Sequence, residues 1–402
     1  MIVSSAPGRS GIIGNPTDMY GGSVVSCSTV ERAYCRLTEA EYLTVSVAES
    51  EQTLHSRDDL RLLGNPLDIP KAILSYLELD PEAFRYRLSA HTEIPDRAGL
   101  AGSTAMVVAI LGAVLEQMGV AMDLHHIAEM ARKIEYRTMG IICGFQDQHM
   151  AAFGGLNFMD FQGKESLEQR DDEPLATVEP LQDRVRDIPI VVAHTGIRRN
   201  SGIVHRSIRE RWLEGEAAVV EGYCRIAELG RLGRKALLDR NWALLGEMMN
   251  ENHAIQQALG GSGLQNDCLI EVARENGALG AKLSGAGHGG TIVALTLEPE
   301  RTAAALSAAG ARSNRGGGLS TGAVCSASMT RSRRASATAR CIAVGKTSLE
   351  DCEALTWSLG WTASFLPSLS EARVARTSLV FMFEEVPDPV WNTSTGKFSS
   401  HV

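Results

Sequence analysis

The run from Ala98 to Leu115 is the longest stretch of this 402-residue chain without a charge. Its length approaches that of a membrane span, but it opens on Gly99, Gly102, Ser103 and Thr104. It therefore reads as a polar loop feeding a buried helix rather than as a lipid-facing segment. A buried helix needs a core around it, and a chain of this length supplies one without disulfide or metal staples. The eight cysteines form no CxxC pair and no zinc-like spacing, and the N-terminus lacks the basic-then-apolar layout of a signal peptide, which suggests a reducing cytoplasm. A formal net charge of −9 argues against a dedicated nucleic-acid surface, so neither nucleic acid nor membrane is expected as a partner.

That average hides a break. Residues 1–300 carry 28 Lys and Arg against 41 Asp and Glu, whereas residues 301–402 carry 11 against 7. From Arg301 to Lys346 there is no acidic residue, and the texture is Ser/Ala/Gly/Arg, as in ARSNRGGGLSTGAVCSASMTRSRRASATAR. Such a stretch has too little large apolar surface to offset its ordering entropy. Upstream, the chain alternates α and β. Strands are expected over 22–30, 42–48, 188–193 and 290–297. Helices are expected over 69–77, 105–118, 125–137, 207–232, 243–259 and 300–311. The charged, proline-bearing window 170–189 predicts a boundary between two domains.

Three glycine-rich segments carry the chemistry. The first is Ala6-Pro7-Gly8-Arg9 followed by GNPTDMYGG from Gly14 to Gly22. The second, Ile94-Pro95-Asp96-Arg97-Ala98-Gly99-Leu100-Ala101-Gly102-Ser103-Thr104-Ala105, runs straight into the uncharged helix. Small residues at a helix start let backbone N–H groups converge on an anion, with the helix dipole favouring negative charge. This is phosphate-binding chemistry without a Walker loop. The third, KLSGAGHGG from Lys282 to Gly290, precedes a strand, where glycines permit close backbone approach.

Taken in order, PGR-x4-GNPTDxYGG, GLAGSTA before a helix and LSGAGHGG before a strand are similar to the three signature motifs of the GHMP kinases. The motifs IIGNPTDMYGG, IPDRAGLAGSTA, GFQDQHMAAFGGLNFMDF and SGIVHRSIRERWLEGE resemble its glucuronokinase and bacterial heptose-phosphate kinase branch. The resemblance implies a two-layer α/β fold. Its N-terminal domain, over 1–175, would be like ribosomal protein S5 domain 2, and its C-terminal domain, over 186–311, ferredoxin-like. An atypical tail would occupy 312–402. It implies ATP and Mg²⁺ as cofactors and a sugar or sugar acid phosphorylated at its anomeric hydroxyl. A non-sugar acceptor of the mevalonate or homoserine type, or a sugar sensor without turnover, are the other readings.

Residue by residue, the resemblance makes Asp147, in GFQDQ, the group that takes or orients the hydroxyl proton, against a bland role as a helix cap. It makes Arg9 the cation near the acceptor oxygen and γ-phosphate, against an ordinary surface ion pair. Pro95, Gly99, Leu100, Ala101, Gly102, Ser103, Thr104 and Ala105, with Gly285, Ala286 and Gly287, would cradle the ATP phosphates. Ala101 and Gly102 stand where GLGSSxA has glycine and serine. Ser103 and Glu135 would complete the Mg²⁺ sphere, Glu135 having a solvated helix face as its alternative. Asn15, Asp18, Tyr20 and Gly21 would contact the sugar, Asn15-Pro16 replacing the Glu-His of galactokinases. Arg198, Arg199 and His205 pair with a substrate carboxylate or phosphate, or form a solvated basic loop. His288 reads as a turn residue. The stretch after the helix at 300–311, RSNRGGGLSTGA, lacks strand character, which predicts a C-terminal sheet edge without its partner and a tail that is poorly ordered.

Overall fold

The computed structural model describes residues 1–164, 173–185, 187–196, 208–285 and 287–311. It also describes the backbone of short strands at 320–321, 330–332, 340–343, 391–392 and 397–398. Two compact units result, 1–347 and 348–402. In the second, Trp391–Asn392 pairs antiparallel with Lys397–Phe398.

The first unit is built on two sheets. Strands β1 (Ile2–Ile13) and β2 (Ser23–Glu39) form a long antiparallel pair whose register shifts between Pro7 and Arg9 and again between Gly11 and Ile13. The Ala6–Arg9 part of the first glycine-rich segment is thus bulged strand, and such irregularities re-aim side chains. The far edge of β2 serves two partners. Its second half pairs with β5 (Tyr86–Thr92), which continues to β3 (Leu43–Val47) and β4 (Ser50–Leu54), while Ser23–Cys27 pairs with β6 (Leu156–Asp160). β7 (Thr177–Pro180) extends β6, so this sheet runs to Pro180 rather than closing at the expected 175. The charge and prolines of the 170–189 window mark an edge strand, where both are tolerated.

Over this sheet lie α1 (Asp68–Tyr76), α2 (Gly102–Gln117), α3 (Leu124–Lys133) and α4 (Gln146–Phe153). The uncharged run forms α2, buried from Thr104 to Glu116 and packed on β1 and β2. α3 ends in a π-turn, Ile134–Thr138, where a continuous helix to 137 was expected. A mid-helix π-turn rotates the residues it contains off the regular stripe.

The second sheet is β8 (Ile190–His194), β10 (Thr291–Thr296) and β9 (Ala278–Leu283), antiparallel throughout. The helix expected over 207–232 is divided. Residues 208–213 are helical, the chain turns at the left-handed Gly215, and α5 (Ala217–Leu238) begins after it. α6 (Trp242–Ala258), α7 (Leu264–Glu275) and α8 (Pro299–Ala308) complete the layer. α7 and α8 cover one face through Leu269, Ile270, Ala273 and Leu306. The other face contributes Val293 and Leu295 to a core shared with α5, α6 and the first sheet, where Leu237, Leu245 and Met249 meet Ile12, Ile13 and Val25. Backbones touch at these joints. A Cβ on Gly230 would lie 2.0 Å from Ser23 O, and one on Gly280 2.2 Å from Gly246 O.

The outer edge of β8 was expected to be bare. Instead β11 (Ser320–Thr321) pairs with Val191 and Val192, because an edge strand offers backbone groups to any extended segment irrespective of its side chains. β12 (Thr330–Ser332) pairs with β13 (Arg340–Ala343), which runs parallel to β1. The remainder of 312–402 lies outside the described residues, apart from the pair at 391–398. Among the described residues no helix is long and apolar enough to cross a membrane, and Cys27, Cys35, Cys143, Cys224 and Cys268 are free thiols.

Candidate active site

The loop before α2 gets its shape from alternating backbone hands. Arg97 (φ 53°), Gly99 (φ 79°) and Ala101 (φ 60°) are left-handed, with Ala98 and Leu100 anchored in the core between them. Such alternation turns successive N–H groups to one side, a concavity of the kind that suits an anion, at the positive end of α2. Three bonds fix the loop from both sheets. Leu100 O accepts from Arg9 N at 3.0 Å, Gly99 O from Arg9 NH1 at 2.6 Å, and Ala98 O from Thr291 Oγ1 of β10 at 2.6 Å. Ser103 is exposed at the helix start, beside the cleft.

This cleft has a volume of about 860 Å³. One end is polar, with Arg9, Asn15, Asp18, Gln146 and Asp147 in its wall. The other end, beyond the glycine loop, combines the apolar Val47, Leu62, Pro66, Ile69, Ile94 and Met106 with Asn65, Asp68, Asp96 and Arg97. Sequence reasoning did not place that end; its one signal was the NP dipeptide ahead of α1.

Asp147 stands in the first turn of α4, which is seated by Phe145, Met150 and Phe161. It is not the helix cap. Asp18 performs that role, its Oδ2 accepting from Phe145 N at 2.8 Å and Gln146 N at 3.0 Å. Burial raises the Asp18 pKa, the Gln146 N–H opposes that rise, and the charge of Asp147 adds to it. Asp147 is left free to turn to the cleft, where Arg9 grips its Oδ1 through Nε and NH2, both at 2.7 Å. Arg9 is buried, so this is not a surface pair. With the bond to Gly99 O it uses three of the five guanidinium donors.

Glu135 sits in the π-turn and is buried against the cleft wall rather than on a solvated face. Its Oε1 accepts from Thr104 Oγ1 at 2.9 Å and its Oε2 from Gln148 Nε2 at 2.6 Å. Burial pushes its carboxyl up to about 7 against those two donors. Thr104, expected on the phosphates, therefore spends its hydroxyl on Glu135.

Other expected contacts move. Asn15 lines the cleft, but its side chain ties the sheets together, donating to Ser284 O at 3.1 Å and accepting from Lys282 Nζ at 2.7 Å. Tyr20 leaves the expected sugar-binding set. Its ring packs on Trp212 and Tyr223, with centroids 4.7 and 4.9 Å away, because a large aromatic gains more from this cluster than from an open wall. Gly21 is the left-handed cap of the 3₁₀ turn Thr17–Tyr20. Leu100 and Ala105 are buried, giving the loop backbone and support only. Gly285 reaches the cleft, whereas Gly287 turns where a Cβ would meet Gly261 O at 1.9 Å. His288 is a turn residue, its Nε2 on Gly260 O at 2.9 Å and its N–H on Ser262 O. Ala286, Arg198, Arg199 and His205 lie outside the described residues.

Lys282, which opens the third glycine-rich segment, has no expected role in the site. It is fully buried on β9, and burial, then the nearby Arg9 charge, lower its pKa to about 7. Nothing in a strand-like AKL marks such a lysine; its partner Asn15 is 267 residues away. Among the described residues no three His, Cys, Asp or Glu side chains form a metal cluster.

Comparison with known proteins agrees with this geometry. The family profile "GHMP kinases N terminal domain" matches residues 68–155 and "GHMP kinases C terminal" matches 234–314. Probable glucuronokinase 2 of Arabidopsis thaliana is 29% identical over 311 residues, covering 69% of this chain and 80% of its own. Mevalonate kinase of Pyrococcus horikoshii is 30% identical over 324 residues, covering 75% and 91%. The structure of Lactococcus lactis galactokinase complexed with galactose superposes with a TM-score of 0.60 at 22% identity, covering 76% of this chain and 89% of that one. A likeness running through both sheets and across nearly the full length of an archaeal relative reflects common descent, and the chain belongs to the GHMP kinases, phosphotransferases that take their phosphate from ATP.

Proposed function

We propose that this kinase phosphorylates the anomeric hydroxyl of a sugar or sugar acid with Mg·ATP. The observation that carries the reading is Asp147, gripped by a buried Arg9 at the polar end of the cleft, with Asp18 and Gln146 beside it. A polar wall suits a ligand that is mostly hydroxyl. The adenine fits beside the apolar side chains of Leu62, Pro66 and Ile69, and the phosphates lie across the Gly99–Thr104 loop, with Gly285 facing them from the second sheet.

Ser103 Oγ and Glu135 would hold Mg²⁺. They fit, because both line the cleft and each Glu135 oxygen, holding a single donor, keeps a lone pair for a cation. Two protein oxygens suffice for an ion that keeps waters and phosphate oxygens. A bound Mg²⁺ neutralises charge on the β- and γ-phosphates. The chain's own residues do the rest. Asp147 accepts a hydrogen bond from the acceptor hydroxyl and aligns its oxygen. That oxygen bonds to the γ-phosphorus as the bond to the β,γ-bridging oxygen breaks, its electron pair leaving on ADP, and the hydroxyl proton passes to Asp147. Arg9 holds Asp147 and turns its remaining donors to the transferring group.

The likeness to mevalonate kinases supports a second reading, in which the acceptor is a non-sugar alcohol. ADP release assayed across glucuronate, galacturonate, galactose, fucose, mannose, heptose 7-phosphate, mevalonate and homoserine tests both. Turnover on a sugar or sugar acid supports the first. Turnover confined to mevalonate or homoserine overturns it, and binding of ATP and sugar without ADP release would make the chain a sensor.

A further inference from the structure

Gln146 opens α4 immediately before Asp147. Its backbone N–H is fixed on Asp18 Oδ2, so the position of its side chain is set by the same carboxylate that seats the helix. The side chain lines the cleft, is only 3% exposed, and has an amide oxygen with no hydrogen-bond partner. Gln148, two residues on, is the internal comparison. It too is buried, but its amide nitrogen holds Glu135 and it has no place in the cleft wall. One glutamine supports structure. Both amide oxygens are without a hydrogen-bond partner, but only that of Gln146 belongs to a side chain in the cleft wall, beside the group that handles the reacting hydroxyl.

A buried amide oxygen without a partner is unfavourable in the empty protein and is relieved by a ligand that donates to it. The natural donor is another hydroxyl. A carboxylate offers no proton and would be repelled by the carbonyl dipole. We propose that Gln146 is a specificity residue of the acceptor site, its amide oxygen accepting a hydrogen bond from a second hydroxyl of the same polyol that Asp147 engages. This rests on the reading of the cleft as the acceptor site of a sugar kinase. It assigns Gln146 a task separate from proton transfer: it selects acceptors by a hydroxyl that does not react.

The test is a cycle of variant and substrate, run on the full-length protein with the best acceptor of the panel above and its monodeoxy analogues. Gln146→Met should raise the acceptor KM about 10- to 100-fold, with KM for ATP and Tm close to wild type. For one deoxy analogue the wild type and Gln146→Met should have equal kcat/KM, because the hydroxyl that Gln146 reads is gone. Gln146→Glu, which restores an acceptor oxygen, should recover part of the loss and guards against a methionine variant that folds poorly. An unchanged acceptor KM in Gln146→Met overturns the proposal alone. So does a loss of equal size for every analogue, or one that falls on ATP. A wild type that turns over only non-sugar acceptors overturns the sugar reading, and this proposal with it.

Discussion

Arg9 and Lys282 are charges placed where water is scarce, and Arg9 holds the half-buried Asp147 at the cleft. Asp147→Asn keeps the shape but cannot take a proton. It should lower kcat on the order of 10²-fold or more while nucleotide affinity, measured by titration calorimetry, stays within a few-fold of wild type. Wild-type turnover would remove Asp147 from the mechanism. Lys282 gives a prediction in pH. Its folded-state pKa of about 7 lies below its ordinary 10.5, so between those values the folded protein binds fewer protons than the unfolded chain. Its contribution to stability is therefore most unfavourable below about pH 7 and is relieved as pH rises toward 10.5. The charged and titratable groups around it are Arg9 and, on α6, His253, itself backed by Asp267. Lys282→Met should flatten the rise of urea-unfolding free energy between pH 7 and 10. A slope as steep as that of the wild type would mean that Lys282 does not titrate there.

At the level of elements, legibility followed locality. The uncharged run read as a helix and GTIVALTL as a strand, because each is set by neighbours in sequence. α4 was harder, since its cap, Asp18, is supplied from more than a hundred residues upstream, and a lone Asp at a helix start is ambiguous until that partner is known. Tyr20 was misplaced because its cluster partners, Trp212 and Tyr223, belong to the second half of the chain. The π-turn at Glu135 follows no local pattern; 125–137 has an ordinary helical stripe. The loop before α2 carries its own prediction. Ala101 adopts a left-handed conformation that costs an L-residue about 1–2 kcal/mol. Ala101→Gly should therefore stabilise the protein by up to about 1 kcal/mol in urea unfolding, glycine's larger unfolded-state entropy offsetting part of the relief. Ala101→Glu should abolish Mg·ATP binding by putting charge where the proposed function puts the phosphates. Normal nucleotide binding by the glutamate variant would move the cradle elsewhere.

For the first unit as a whole, the site is assembled by both sheets. Asn15 with Lys282, Ser10 with Ser284 at 2.9 Å, and Thr291 with Ala98 cross between them. Thr291→Val leaves Ala98 O buried without that donor, at a cost of about 1–3 kcal/mol. It should raise KM for ATP several-fold while leaving KM for the acceptor nearly unchanged, which steady-state kinetics with each substrate varied in turn will resolve. Equal effects on both would place the bond in general stability instead. The apolar core in which Ile12, Ile13 and Val25 meet Val293 and Leu295 has a calorimetric consequence. Neither sheet can melt without exposing the other's interior. The heat absorbed by the two sheets and their helices should therefore appear as one endotherm whose calorimetric and van't Hoff enthalpies agree, so the kinase would lose both of its substrate sites at the same temperature.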